Sequence, residues 1–225
     1  MITVVIPLYE GVTHLDFTGP HQFLSILPDA DIIVASLDGA PITSHGLTFS
    51  ALADLETIER CDLLCIPGGT GCVAAIENTR FLTAIRRLAD GAQHLSSVCT
   101  GSLILAAAGL LAGRRAACHW AWRDLLSGFG AIPDDARVVR DGNVITGGGV
   151  TAGIDFALAL IAQLRGADAA QFIQLLLEYA PEPPFDAGLP ETAPPLVREA
   201  VLARMAPTLA DARQRIGHVA RQLRA

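Results

Sequence analysis

The sequence is short of positive charge. Its 225 residues hold 16 Lys plus Arg against 23 Asp plus Glu, a formal net charge of −7 at pH 7, and the pI is near 5.3. Nucleic acid and anionic membrane surfaces are held by clustered cations. No stretch here is basic enough, so both are excluded as main partners. Metal motifs are missing too. The five cysteines, at 61, 65, 72, 99 and 118, form no CxxC pair and no zinc spacing. His14, His21, His45, His94 and His218 share no metal-ligand spacing, and no metal site is expected from them. No cationic leader precedes the strand-like Met1-Ile2-Thr3-Val4-Val5-Ile6. With an odd cysteine count this fits a reducing, cytoplasmic setting, in which Cys61, Cys65, Cys72 and Cys118 are packing residues. No repeat, linker or composition break divides the chain, and residues 1–225 read as one domain ending in C-terminal helices. The uncharged stretch from His94 to Gly113 has the length of a membrane span, but Ser96, Ser97, Thr100 and its glycines interrupt the apolar surface. It reads as a buried strand and helix.

Apolar residues are plentiful, at 51%, with a mean hydropathy of +0.42, as expected of elements covered on both faces. Apolar runs at Thr3–Tyr9, Asp31–Leu37 and Asp62–Pro67 read as buried strands. Hairpins are expected over Ile42–Ala51, turning at His45-Gly46, and over Arg137–Thr146, turning at Asp141-Gly142. Helices are expected from Leu15 to about Ile26, from Thr79 to Ala89 behind an Asn78 cap, over Trp120–Phe129, over Phe156–Leu164 and from Asp168 to Tyr179. A proline-rich loop spans 181–195. Helical residues 196–224 follow, broken near Pro207. Alternating strands and helices predict an α/β fold with a mostly parallel sheet and helices on both faces. Ligands bind such sheets at the carboxyl ends of strands near a topological switch.

One stretch carries the chemistry. His94-Leu95-Ser96-Ser97-Val98 has strand character. Gly101 to Ala108 is Ala- and Leu-rich, with Gly109 suited to a helix C′ position. Cys99 therefore falls at a strand–turn–helix junction, where backbone N–H groups and the helix dipole favour thiolate, the nucleophilic form. The competing reading of Cys99 is a small buried core residue. Asp16, flanked by Leu15 and Phe17, is either a carboxylate pinned at the end of the first strand or a helix N-cap. Gly68-Gly69-Thr70-Gly71 follows a strand and can present backbone N–H groups to a ligand. It is neither a P-loop nor a GxGxxG motif.

Together, Leu15-Asp16-Phe17-Thr18-Gly19-Pro20, Ile66-Pro67-Gly68-Gly69-Thr70-Gly71, Ser97-Val98-Cys99-Thr100-Gly101-Ser102, His119-Trp120 and Thr146 to Asp155 resemble the ThiJ/PfpI superfamily, which shares a fold with class I glutamine amidotransferases. The likeness covers nearly the whole chain, and is nearest to the isocyanide-hydrating branch. It implies a flavodoxin-like three-layer sandwich and a homodimer without cofactors. The implied reaction is addition of water to a small-molecule isocyanide to give a formamide. In it Cys99 attacks to form a thioimidate, Asp16 moves the proton, and Thr100 orients water or Asp16 through its hydroxyl. Gly69, Thr70, Val150 and His119 then line the substrate pocket, with His119 in a supporting role. Two rivals remain. Similar domains occur in transcription regulators, fused to helix-turn-helix modules, but the C-terminal residues here, with Arg198, Arg204, Arg213, Arg215, Arg221 and Arg224, are better explained by an amphipathic packing face. Glyoxalase-like or stress-protective members commonly have His after the nucleophile and a Glu partner, where this chain has Thr100 and Asp16.

Overall fold

A computed structural model describes residues 1–223; the Arg224 named above lies outside them. The elements in chain order are β1 (Ile2–Pro7), α1 (His14–Leu24), β2 (Ala30–Ser36), β3 (Ile42–Ser44), β4 (Leu47–Phe49), β5 (Ala53–Asp54), β6 (Leu63–Ile66), α2 (Cys72–Glu77), α3 (Thr79–Gly91), β7 (His94–Val98) and α4 (Gly101–Ala107). After β8 (Arg115–Ala116) and a 3-10 segment (Arg123–Phe129) come β9 (Ile132–Pro133), β10 (Val138–Asp141), β11 (Val144–Gly147), α5 (Ala152–Arg165), α6 (Ala167–Leu176) and α7 (Pro195–Gln222).

Seven strands form one sheet in the order β10-β11-β7-β6-β1-β2-β5. All neighbours are parallel except β10 and β11. All four residues of β6, Leu63 to Ile66, are buried, as a central parallel strand covered on both faces requires. With its surrounding helices this is the flavodoxin-like sandwich. The chain order reverses between β1 and β6, since β2 lies on one side of β1 and β6 on the other. The crevice beyond the carboxyl ends of those strands is where such sheets bind ligands.

The local turn chemistry follows the sequence closely. His45 and Gly46 both take positive φ between the antiparallel strands β3 and β4, the paired left-handed turn that hairpin twist favours. Asn78 accepts a hydrogen bond from the Phe81 N–H at 3.1 Å and caps α3. Gly109 has φ +85° just beyond the last turn of α4. The second hairpin turns one residue later than expected: Asp141 pairs with Val144, so Gly142 and Asn143 are its central residues.

Two expectations are corrected. Trp120–Phe129 is not a regular helix; only a 3-10 segment forms from Arg123. α7 runs unbroken through Pro207. A proline inside a helix forfeits one hydrogen bond and frees the carbonyl four residues earlier, but Pro207 lies on an exposed face, where water satisfies the freed group. The opposite face packs Leu209, Ala212, Ile216 and Ala220 inward at helical spacing, while Arg213 and Arg215 pair with Asp124 and Glu77 across the interface. That is the expected amphipathic face. No described helix is long and apolar enough to cross a membrane.

Candidate active site

Three strand-to-helix connections meet at the crevice, each supplying one predicted group. Cys99 follows β7 and has φ +59°, a left-handed conformation that a residue with a Cβ adopts at a cost. Its N–H donates to the Gly147 carbonyl at 3.0 Å, which anchors the turn to β11. Gly101, two residues on, lets α4 begin against β6: a Cβ there would lie 2.1 Å from the Ile66 carbonyl oxygen.

The glycine turn after β6 is the hub. Gly68 donates its N–H to Asp16 Oδ2 at 3.0 Å, and its carbonyl accepts from the Thr13 N–H at 2.8 Å. A Cβ on Gly68 would fall 2.5 Å from the Thr100 nitrogen and 2.7 Å from Asp16 Oδ2, so only glycine lets these three segments converge. Thr100 Oγ1 accepts from the Gly69 N–H at 2.8 Å and donates to the Gly69 carbonyl at 2.9 Å. Its hydroxyl is thus occupied in both roles, and what Thr100 offers the site is its backbone N–H, directed at the Cys99 sulfur. Tyr9 OH holds the same turn from below through the Pro67 carbonyl, at 2.9 Å.

Asp16 is not a cap. The residue at the N-cap of α1 is Thr13, and Asp16 projects from the first turn into the interior, where it is wholly buried. Oδ2 has the Gly68 bond, but Oδ1 has no conventional hydrogen-bond partner among the described residues. The Cys99 thiol neighbours the carboxyl and pulls it down against burial. Geometry denies Oδ1 a standard bond while electrostatics ties it to Cys99, and a loose S–H···O contact accounts for both. Burial raises the Asp16 carboxyl to about 7, opposed by Cys99 and the Gly68 N–H.

The thiol departs from expectation. Burial, the Asp16 charge and neighbouring Cys118 hold Cys99 well above the ordinary cysteine value, and the Thr100 N–H offsets this only in part. α4 has seven residues, too few to outweigh desolvation. The sulfur therefore rests as a thiol, not a preformed thiolate, beside a carboxyl that ionises as pH passes about 7. Once that carboxyl is ionised, the pair carries one negative charge whichever atom holds the proton. Moving that proton from sulfur to oxygen relocates charge without creating it, so the thiolate is reached without a new buried ion.

A cavity of about 130 Å³ opens over the sulfur, lined by Cys99, Thr100, Gly69, Thr70, His119 and Val150. Every predicted residue except Asp16 lines this cavity, and Asp16 meets Cys99 outside its lining. The segment leading to His119 is fixed from two sides at Ala117. Ser102 Oγ donates to the Ala117 carbonyl at 2.5 Å and Thr146 Oγ1 accepts from the Ala117 N–H at 2.8 Å. His119 Nδ1 accepts from the Ala121 N–H at 3.3 Å, which leaves the ring proton on Nε2. Burial lowers its pKa, and the ring is neutral. Sequence reasoning missed Thr13, Trp122 and Met205, which complete the cavity wall. Met205 arrives from α7, and no local signal announces it. The other four cysteines are buried and unpaired, as packing residues should be.

A profile of the DJ-1/PfpI family matches residues 2–163. Isonitrile hydratase of Pseudomonas putida is 50% identical over 203 residues, 90% of this chain and 89% of that one. The crystal structure of a ThiJ/PfpI family protein from Pseudomonas syringae superposes with a TM-score of 0.92 at 42% identity, covering 97% of this chain and 90% of that one. The HTH-type transcriptional regulator CdhR of Pseudomonas aeruginosa is 35% identical over 143 residues, 61% of this chain and 41% of the regulator.

Proposed function

This chain belongs to the DJ-1/PfpI family, and from that premise we propose that it adds water to an isocyanide, R–N≡C, releasing the N-substituted formamide. The observation that carries the reading is Asp16: a fully buried carboxyl, one oxygen unpaired, beside the cysteine that floors a small pocket. The terminal carbon of an isocyanide must accept both a nucleophile and a proton. The Cys99 proton passes to Asp16, the thiolate attacks the carbon, and the neutral Asp16 returns the proton to that same carbon. The product is a thioimidate, R–N=CH–S–Cys99. Asp16, ionised again, takes a proton from the incoming water as its oxygen bonds to the carbon, and delivers that proton to the nitrogen. Collapse of the R–NH–CH(OH)–S adduct breaks the carbon–sulfur bond, and the hydroxyl proton returns to sulfur as the formamide leaves. A carboxyl that serves alternately as acid and base works best with a pKa near the operating pH, and about 7 meets that need. The Thr100 N–H stabilises the sulfur anion, while Gly69, Thr70, Val150 and His119 bound the space for the substrate. No metal or organic cofactor enters the steps.

The similarity to isonitrile hydratase supports this reaction over the regulator alternative. Residues 195–222 form a single helix packed on the domain, not a helix-turn-helix. One contiguous core reaching from Val4 to Ile216 supports treating the chain as a single domain. Phe172, Leu175 and Leu176 on α6 and Leu196 on α7 are large exposed apolar side chains, and we assign them to a homodimer interface. The charge balance and free thiols fit work in the cytoplasm on a small molecule. The deciding experiment incubates the protein with an aromatic isocyanide and, separately, with an α-oxoaldehyde. Formamide from the first and no hydroxy acid from the second is the expected result. The reverse pattern overturns the assignment in favour of a glyoxalase.

A further inference from the structure

Next to the reactive pocket lies a larger cavity of about 570 Å³. His119 and Val150 line both, so the two spaces adjoin at that pair. An isocyanide is linear through its nitrogen, so with the terminal carbon at Cys99 the substituent begins two bonds beyond the reacting carbon. The reactive pocket, at about 130 Å³, has room for roughly four waters at ~30 Å³ each. It holds the isocyano group and a small substituent. A longer or bulkier substituent reaches the neighbouring space.

That space has an apolar side and a charged one. Trp120, Ala136, Leu189 and Pro190 supply the first, with Trp120 stacked on His119 at 5.8 Å between ring centroids. Among the charged groups, Arg137 is committed to Asp155 and Thr151. Asp135 and Glu191 are exposed and screened by water. Arg123 differs from all three. It is partly withdrawn from solvent, and among the described residues it makes no hydrogen bond or ion pair. Its charge is felt at Cys118 and Asp134, but Asp134 is already bonded by Arg115. A partly desolvated guanidinium with its donors unspent is suited to a planar anion.

We propose, building on the hydration reading, that this second cavity houses the substituent of the isocyanide and that Arg123 selects substituents ending in a carboxylate. The substrate class is then an isocyanide with an apolar body beside the nitrogen and an acid at its far end. The overall charge of −7 repels such a molecule at a distance, so the preference originates at this one cation.

The test compares 4-isocyanobenzoate with its methyl ester, using the full chain and Arg123→Gln. The expected result is a wild-type preference for the acid in kcat/KM. The acid-to-ester ratio falls about 10- to 100-fold in the variant, the range of a hydrogen bond to a charged group. The change should lie in KM, and Arg123→Lys should restore part of it. An unchanged ratio overturns the inference, including the case where both substrates slow together. Binding of the product 4-formamidobenzoate, followed by tryptophan fluorescence, needs no turnover, and its Kd should rise by the same factor in Arg123→Gln. Equal Kd values overturn the Arg123 assignment even if hydration proceeds. Absence of formamide from both isocyanides, with the Kd difference present, overturns the hydration reading alone.

Discussion

Replacing Asp16 with Asn should make the protein more stable and far less active. In the folded chain the carboxyl titrates at about 7, against an ordinary 3.8. Between those values the folded state holds a proton that the unfolded state has released, so stability falls as pH rises from about 4 to about 7. At ~1.4 kcal/mol for each tenfold change in proton affinity, the gap amounts to about 4 kcal/mol lost by pH 8. Asn carries no charge at any pH and keeps an oxygen for the Gly68 N–H. Asp16→Asn should therefore melt higher than wild type at pH 8, by about 8–16 °C for a chain of this size, and the difference should vanish near pH 4. Turnover moves the other way. Loss of the group that shuttles the proton costs ~10²- to 10⁴-fold in kcat. Removal of the adjacent negative charge lowers the Cys99 pKa at the same time, so iodoacetamide should label the variant faster at pH 8. Scanning calorimetry at pH 4, 6 and 8, formamide production and the alkylation rate can be measured on one preparation. A variant that melts lower than wild type at pH 8, or turns over at near-native kcat, would falsify the role given to Asp16.

Three further outcomes follow from the geometry. Cys99→Ala should retain the fold but make no formamide, and intact-mass spectrometry during turnover should lose the substrate adduct seen with wild type; activity in the variant would remove the covalent step. Thr100→Val should cost about 2 kcal/mol in urea denaturation, because the Gly69 N–H and carbonyl both lose a buried partner, while Thr100→Ser restores most of it. Gly101→Ala drives a methyl against the Ile66 carbonyl; a loss of ~3 kcal/mol or more is expected, and wild-type stability in this variant would mean that α4 is free to shift away from β6.

Much of this site was legible in the residues because its parts are local signatures. Cys99 at a strand–helix junction, the Gly68–Gly71 turn, the Asn78 cap and the His45-Gly46 hairpin each depend on a few consecutive residues. What sequence reading missed depends on distant packing. Met205 reaches the pocket only because α7 lies across the domain, and Trp122 only because Ser102 and Thr146 fix the segment before it. The helix through Pro207 survives because tertiary contacts on its far face outweigh one lost bond. The protonation state of Cys99 was misjudged for a related reason. The dipole of a short helix can be inferred from sequence, but the desolvation that exceeds it exists only once Asp16, Cys118 and Cys99 are buried together.

The position of Met205 ties one wall of the cavity to the hold of α7 on the domain. The helix is held to the domain by the buried Leu209, Ala212, Ile216 and Ala220, by Met205 and Val219 packed on the core, and by exposed ion pairs worth little each. Peripheral segments open locally with free energies below that of global unfolding. Each detachment would withdraw one side of the cavity and leave the sulfur open to oxidants and bulky electrophiles that the closed form turns away. Access to the sulfur is thus coupled to a helix anchored more than a hundred residues along the chain from the nucleophile itself.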